Sequence, residues 1–209
     1  MKSNTLSWNE PDSLVKLVAI LRENKVILAP SDTVWGLCGA VTPELFAALD
    51  VLKVRNDKPY LILARDLEVI EQYAILPQGA AFKRLAAQCW PGPLTLLLKA
   101  RKETPGYLVA KAGTIAFRIP QHEGLQRLLA AIPLLLSTSA NISGQPVPLF
   151  YDDIAPSIKS GVGAIILPEP GNERQSGVPS TILDLSQEEP VVVREGAFSK
   201  EVLENVLKD

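Results

Sequence analysis

Seven short polar segments sit at the ends of apolar runs, and their residue types are those that bind small anions and hydroxylated ligands. Lys53-Val54-Arg55-Asn56-Asp57-Lys58 places three cations within six residues, just before Pro59. Arginine offers a planar fork to phosphate or carboxylate, and lysine a point charge. The same cluster would equally suit a helix end, where cations offset the dipole. On an extended backbone Lys53 and Arg55 would share a face, and as solvated cations they would add little stability. In Thr114-Ile115-Ala116-Phe117-Arg118-Ile119-Pro120, Ala116 and Arg118 fall on the face opposite Ile115, Phe117 and Ile119. An arginine buried there needs an anion, either an Asp or Glu of the protein or a ligand carboxylate. Ser137-Thr138-Ser139-Ala140-Asn141-Ile142-Ser143-Gly144 follows Leu134-Leu135-Leu136. It fits a crevice beyond a strand end or a cap built on Ser139 or Asn141. Pro30-Ser31-Asp32-Thr33-Val34-Trp35-Gly36-Leu37 follows the strand Val26 to Ala29 and reads as a ligand loop or a locally bonded turn. Ser180-Thr181-Ile182-Leu183-Asp184 and Val191-Val192-Val193-Arg194-Glu195-Gly196 repeat the pattern. Trp90-Pro91-Gly92-Pro93-Leu94-Thr95 carries no catalytic group and reads as a rigid loop against the core.

Composition limits what such segments can do. The chain has 209 residues, 47% hydrophobic and 21% charged, enough for a sizeable core and too apolar for a disordered chain. The formal charge of -2 disfavours a protein that coats nucleic acid, without excluding a local basic pocket. Two cysteines and one histidine, His122, cannot build a disulfide scaffold or a four-ligand zinc site. Phosphate-binding fingerprints of the Gly-x-x-x-x-Gly-Lys-Ser/Thr and Gly-x-Gly-x-x-Gly types are absent from the sequence. With no secretory-type leader and no apolar run of membrane-spanning length, the expectation is a soluble, cytoplasmic protein with no membrane association.

The elements that must position these segments read as mixed α/β. Helices are expected at Ser13 to Glu23, Pro43 to Leu52 (capped by Thr42), Asp66 to Tyr73, Ala80 to Cys89, Gly124 to Ala131, Tyr151 to Ile158 and Ser199 to Leu207. Strands are expected at Val26 to Ala29, Tyr60 to Ala64, Leu94 to Leu98, Thr114 to Ile119, Leu134 to Leu136, Ala164 to Leu167, Thr181 to Leu185 and Val191 to Arg194. Seventeen prolines punctuate these boundaries, and no linker or repeat divides the chain. The expectation is one domain over residues 1–209, with a twisted mixed sheet flanked by helices.

In order and wording the segments resemble the YrdC-like threonylcarbamoyl-adenylate synthases. The shared signatures are Pro-x-Asp/Glu-Thr-Val-aromatic-Gly, Lys-x-Arg with a following Lys-Pro, Trp-Pro-Gly-Pro-Leu-Thr, Thr-x-x-x-Arg-x-Pro-x-His, Ser-x-Ser-Ala-Asn-x-Ser-Gly, Ser-Thr-x-x-Asp and Arg-x-Gly, from about Val26 to Ala197. The resemblance implies an α/β fold with a concave, positively charged cleft. It implies a nucleotidyltransferase that joins L-threonine, bicarbonate and ATP into threonylcarbamoyl-AMP and pyrophosphate, for modification of adenosine 37 in tRNA. Carried over by position, Thr33, Arg118, Ser137 and Ser180 would hold L-threonine. Arg55, Lys58, Thr114, Ser139, Asn141 and Arg194 would contact ATP, with Lys53 and Arg55 as the catalytic cations and His122 structural. Mg²⁺ would enter with ATP, and no protein metal cage is expected. Ser31, Trp35, Leu63 and Val147 depart from the usual residues, and the Arg55 to Lys58 stretch is one residue short. The chain matches the short, single-domain members, which imply separate threonylcarbamoyl-transferase proteins. The alternatives are an RNA-binding module, since some members accept tRNA or double-stranded RNA, and a paralogue with another activity.

Overall fold

The computed structural model describes residues 4–54 and 60–208. Arg55 and Lys58 therefore lie outside the described residues. Strands β1 (Asn4–Ser7), β2 (Ile27–Ala29), β3 (Gly36–Ala40), β4 (Leu61–Ala64), β5 (Ala74–Ile75), β6 (Leu94–Ala100), β7 (Thr114–Arg118), β8 (Leu134–Ser139), β9 (Ala164–Leu167), β10 (Thr181–Asp184) and β11 (Val191–Arg194) join one mixed sheet. Its order is β1-β9-β2-β3-β8-β4-β7-β6-β10-β11, with β5 paired to β6. Helices are α1 (Ser13–Arg22), α2 (Pro43–Lys53), α3 (Leu67–Glu71), α4 (Ala80–Cys89), α5 (Glu123–Ala131), α6 (Pro156–Gly161) and α7 (Lys200–Lys208).

Most element boundaries follow from local chemistry. Thr42 Oγ1 accepts the Leu45 N–H at 3.2 Å and Pro43 opens the first turn of α2. Asp66 caps α3 by accepting the Val69 N–H at 2.9 Å, so the helix begins one residue later than expected, and it ends at Glu71 rather than Tyr73. The helix expected from Tyr151 to Ile158 divides into a 3-10 turn at Tyr151–Asp153 and α6, because Pro156 is tolerated at a helix start and not inside one. Strands β1, β3 and β5 lie outside the expected set. In β3 the glycines Gly36 and Gly39 weaken the strand signal. Gly39 is there for space: a Cβ on it would meet Leu45 Cδ2 of α2 at 1.9 Å.

Strand alternation sorts the sheet into two faces. Leu28, Leu37, Ile62, Leu96, Leu98, Ile115, Phe117, Leu136 and Leu183 point to one core, against Leu45 and Leu49 of α2, Leu85 of α4, Ile158 of α6 and Leu203 of α7. On the other face Ile27, Ala29, Cys38, Leu63, Leu135, Ala164 and Ile166 pack on Leu17 and Leu21 of α1 and Leu125, Leu128 and Leu129 of α5. The second core draws on no residue of β6, β7 or β10.

α5 is seated by His122, whose Nδ1 accepts the Leu125 N–H at 3.3 Å, with Trp8 5.6 Å away ring to ring. Burial pushes the His122 imidazole below its ordinary value, and Asp32 opposes the shift. A protonated ring could not accept the capping N–H, and its charge would oppose the helix dipole. With the folded value below the unfolded one near 6.5, this contribution is complete above that pH. It is lost as the pH falls through the folded value. Melting temperatures between about pH 7.5 and about pH 5 test this. His122→Asn keeps a capping acceptor without titrating, and its melting temperature should fall less steeply than the wild type's.

Candidate functional site

The half of the second face that α1 and α5 leave uncovered lines a cavity of about 750 Å³. Alternate residues face it: Gly36 and Cys38 on β3, Leu61 and Leu63 on β4, Thr95 and Leu97 on β6, Thr114, Ala116 and Arg118 on β7, and Ser137 and Ser139 on β8. Ser180, Ile182 and Arg194 close one side, and the Ser31–Val34 loop, Lys53 and Asn141 the rim. Register fixes the rows. Ser137 pairs with Cys38 and Leu61, Ser139 with Gly36, and Leu63 with Arg118. Along β7, Thr114 and Arg118 stand about 13 Å apart at the strand rise, so the cavity has two distinct ends.

Arg118 anchors one end. Its Nε donates to the Gly92 carbonyl at 3.0 Å and its Nη1 to Thr33 Oγ1 at 2.9 Å. Its Nη2 lies 2.5 Å from Asp32 Oδ2. Of the partners the alternation leaves open, a carboxylate of the protein stands against Arg118. The Trp90 to Thr95 segment does more than brace the core, because Gly92 holds Arg118 and the Thr95 and Ser180 hydroxyls meet at 2.7 Å. Thr95 faces the cavity between the core residues Leu94 and Leu96, an alternation that marks it in the sequence. Arg194 Nη2 donates to the Ser180 carbonyl at 2.7 Å. Burial lowers the Arg194 guanidinium from its usual range, and the Arg118 charge adds to this. An anion between the two arginines would relieve both. The Cys38 thiol meets Ser137 Oγ at 3.5 Å and is pushed up to about 11 by burial, against opposition from Ser137 and Arg118, so it stays an uncharged wall.

Lys53 departs from the extended, solvated cation expected of it. It is the last residue of α2, and the chain turns at Val54 with φ 50°. The side chain is buried, because Leu45, Leu49 and Lys53 recur every four residues on one helical face. Its ammonium donates to the carbonyls of Ser139 at 2.7 Å and Asn141 at 2.5 Å, with Asn141 Oδ1 at 3.2 Å. Its own carbonyl accepts the Ser143 N–H at 3.0 Å. Ser139 Oγ and Asn141 Oδ1 share a hydrogen bond of 2.5 Å, and Asn141 Nδ2 donates to Gln145 O at 2.6 Å. Lys53 thus holds the turn that presents Ser139 and Asn141, in place of a simple cap.

Thr33, Lys53, Thr114, Arg118, Ser137, Ser139, Asn141, Ser180 and Arg194 all line this one cavity. Among the described lining residues there are three cations, Lys53, Arg118 and Arg194, and one carboxylate, Asp32. Among the described residues no three His, Cys, Asp or Glu side chains gather as metal ligands, and no helix is long and apolar enough to cross a membrane. A smaller cavity of about 380 Å³ lies beyond the Pro30 to Thr33 wall, bounded by Trp8, His122 and Arg174.

Because the Lys53 ammonium is buried on backbone carbonyls, its removal should cost stability as well as activity. Lys53→Met keeps the stem and loses the ammonium. It should lower unfolding free energy by about 1–3 kcal/mol, the cost of depriving buried acceptors of a charged donor. Denaturant melts check this, and an unchanged midpoint would return Lys53 to a solvated helix-end charge.

Residues 19–196 match the Sua5/YciO/YrdC family model, described as "Telomere recombination". A threonylcarbamoyl-AMP synthase of Pyrococcus abyssi is 34% identical over 193 residues, covering 90% of this chain and 55% of that protein. A putative threonylcarbamoyl-AMP synthase of Mycobacterium tuberculosis is 32% identical over 197 residues, covering 93% and 88%. Among solved structures, P. abyssi Sua5 complexed with L-threonine superposes with a TM-score of 0.86 at 29% identity, covering 99% of this chain and 61% of that one. Escherichia coli YciO superposes with a TM-score of 0.79 at 28% identity, covering 94% and 96%. The chain spans 55% and 59% of the length of the P. abyssi and Bacillus subtilis synthases it matches. The sheet, its polar half-face and these matches together place the chain in the Sua5/YciO/YrdC family.

Proposed function

We propose that this chain is a threonylcarbamoyl-AMP synthase, joining L-threonine, bicarbonate and ATP and releasing pyrophosphate. The observation that carries the reading is one cavity holding an arginine–hydroxyl end at Thr33, Arg118 and Ser137 and a lysine-braced end at Ser139 and Asn141. Relatives named for this activity support it. A volume of about 750 Å³ falls within the roughly 300–1,000 Å³ of small-molecule sites.

A carboxylate, a bicarbonate and a triphosphate repel one another unless cations sit between them. Arg118, with Thr33, Ser137 and Ser180, takes the threonine. Thr114, Ser139, Asn141 and Arg194, with Arg55 and Lys58, take the nucleotide. The threonine ammonium gives up a proton to solvent, its amine attacks the carbon of bicarbonate and water leaves, and the carbamate oxygen then displaces pyrophosphate from the α-phosphorus. The chain's part is proximity and charge stabilisation. Lys53 works as a positioning residue for the Ser139–Asn141 turn rather than by direct contact. The one carboxylate on the described cavity wall, Asp32, lies against Arg118. Mg²⁺ belongs to the nucleotide's phosphates. Transfer of the threonylcarbamoyl group to tRNA falls to separate proteins in the cytoplasm.

Pyrophosphate release from ATP should require both L-threonine and bicarbonate, and release that ignores either one would contradict the reading. Arg118→Lys keeps a charge beside Asp32 and loses the fork. It should raise the threonine KM by about tenfold or more, with the ATP KM little changed. Equal effects on both substrates would remove Arg118 from the threonine end.

A further inference from the structure

Asp32 is the one carboxylate on the cavity wall among the described residues, and the reaction outlined above gives it no task. Its ion pair with Arg118 is close, with side chains 12% and 5% exposed, yet incomplete. Oδ2 accepts the Gln121 N–H at 3.0 Å, while Arg118 Nε and Nη1 are engaged by Gly92 and Thr33. Nη2 makes no aligned hydrogen bond in spite of its nearness to Oδ2, and Oδ1 has no hydrogen-bond partner. Both atoms are sealed from solvent. Buried polar atoms are nearly always paired, and an Oδ1 left without a partner beside a buried ion pair calls for an explanation.

The charges on the two sides narrow the explanation. A simple anion would satisfy Arg118 and be repelled by Asp32, and a simple cation the reverse. A group carrying a carboxylate and an ammonium on one carbon satisfies both. We propose that Asp32 is a substrate-binding residue. It and Arg118 part by a side-chain rotation and take the head of an α-amino acid between them, the ammonium on Asp32 Oδ1 and the carboxylate on Arg118 Nη2. This rests on the amino-acid reading of the cavity given above. In the pair as it stands, each side chain takes the place of half of such a ligand. After carbamoylation the positive charge is gone, so Asp32 repels the product and pairs with Arg118 again.

Calorimetric binding tests this without turnover. The ligands are L-threonine and the analogue in which a hydroxyl replaces its α-amino group. The wild type should prefer threonine by about tenfold or more, the value of a charge-assisted hydrogen bond. In Asp32→Asn that preference should collapse to near one, while Asp32→Glu, which keeps the charge one methylene away, should retain part of it. A preference that persists in Asp32→Asn overturns the proposal, as does equal weakening of both ligands, which is what a merely structural counter-ion would give. If Asp32→Asn does not fold, the wild type and Asp32→Glu decide: no preference in the wild type, or an undiminished one in Asp32→Glu, overturns it. A wild type that binds neither ligand overturns the amino-acid reading itself, and the Asp32 assignment with it.

Discussion

A sheet has two faces to bury, and the helices of this chain bury only one and a half of them. α2, α4, α6 and α7 pack along one face, whereas α1 and α5 reach only part of the other. Apolar area left in water forgoes about 25 cal/mol per Å². The uncovered strands therefore carry polar or small residues at many outward positions: Thr95, Thr114, Ala116, Arg118, Ser137 and Ser139. Their inward neighbours, such as Leu96, Ile115, Phe117 and Leu136, are as apolar as any core. The cavity is the direct result of that half coverage. Its side chains are held by strand register rather than by loops alone, which keeps a binding constellation in place.

Two cations are buried at opposite parts of this cavity, and the fold compensates them differently. The Lys53 ammonium donates to two carbonyls of a turn that its own helix end helps to shape. Arg118 has a full counter-charge in Asp32. The first arrangement ties one turn to a helix end. The second keeps acceptor capacity in reserve at Asp32 Oδ1. Burial alone would push the Arg118 guanidinium down, and Asp32 raises it again. A cation bonded to backbone carbonyls suits a scaffold, and a pair with acceptor capacity in reserve suits a place where something binds.

Period-two alternation made much of this legible in the sequence. The Arg118 face and the hydroxyls after Leu134 to Leu136 could be read because apolar neighbours alternate with them. The start of α2 after Thr42 is placed by capping chemistry, whereas Asp66 reads as the first helical residue and is the cap instead. Lys53 reads as an extended, solvated cation from its cluster before Pro59, whereas the Leu45, Leu49, Lys53 spacing puts it on the buried helical face. β3 was hidden by glycines needed for the close approach of α2, a tertiary requirement. The Asp32–Arg118 pair joins segments far apart in the chain. Alternation shows that Arg118 needs an anion, but only the fold shows which one. The tight family motifs carried the functional reading past these local gaps.

The account's central claim is that the polar half-face is one continuous site for the amino acid and the nucleotide. A crystal structure of the protein with L-threonine and a non-hydrolysable ATP analogue tests it most directly. The account predicts the amino acid against Thr33, Arg118 and Ser137, and the phosphates near Ser139 and Asn141, in the same 750 Å³ cavity. A nucleotide seated instead in the smaller cavity beside Trp8 and His122, or an amino acid away from Arg118, would contradict it.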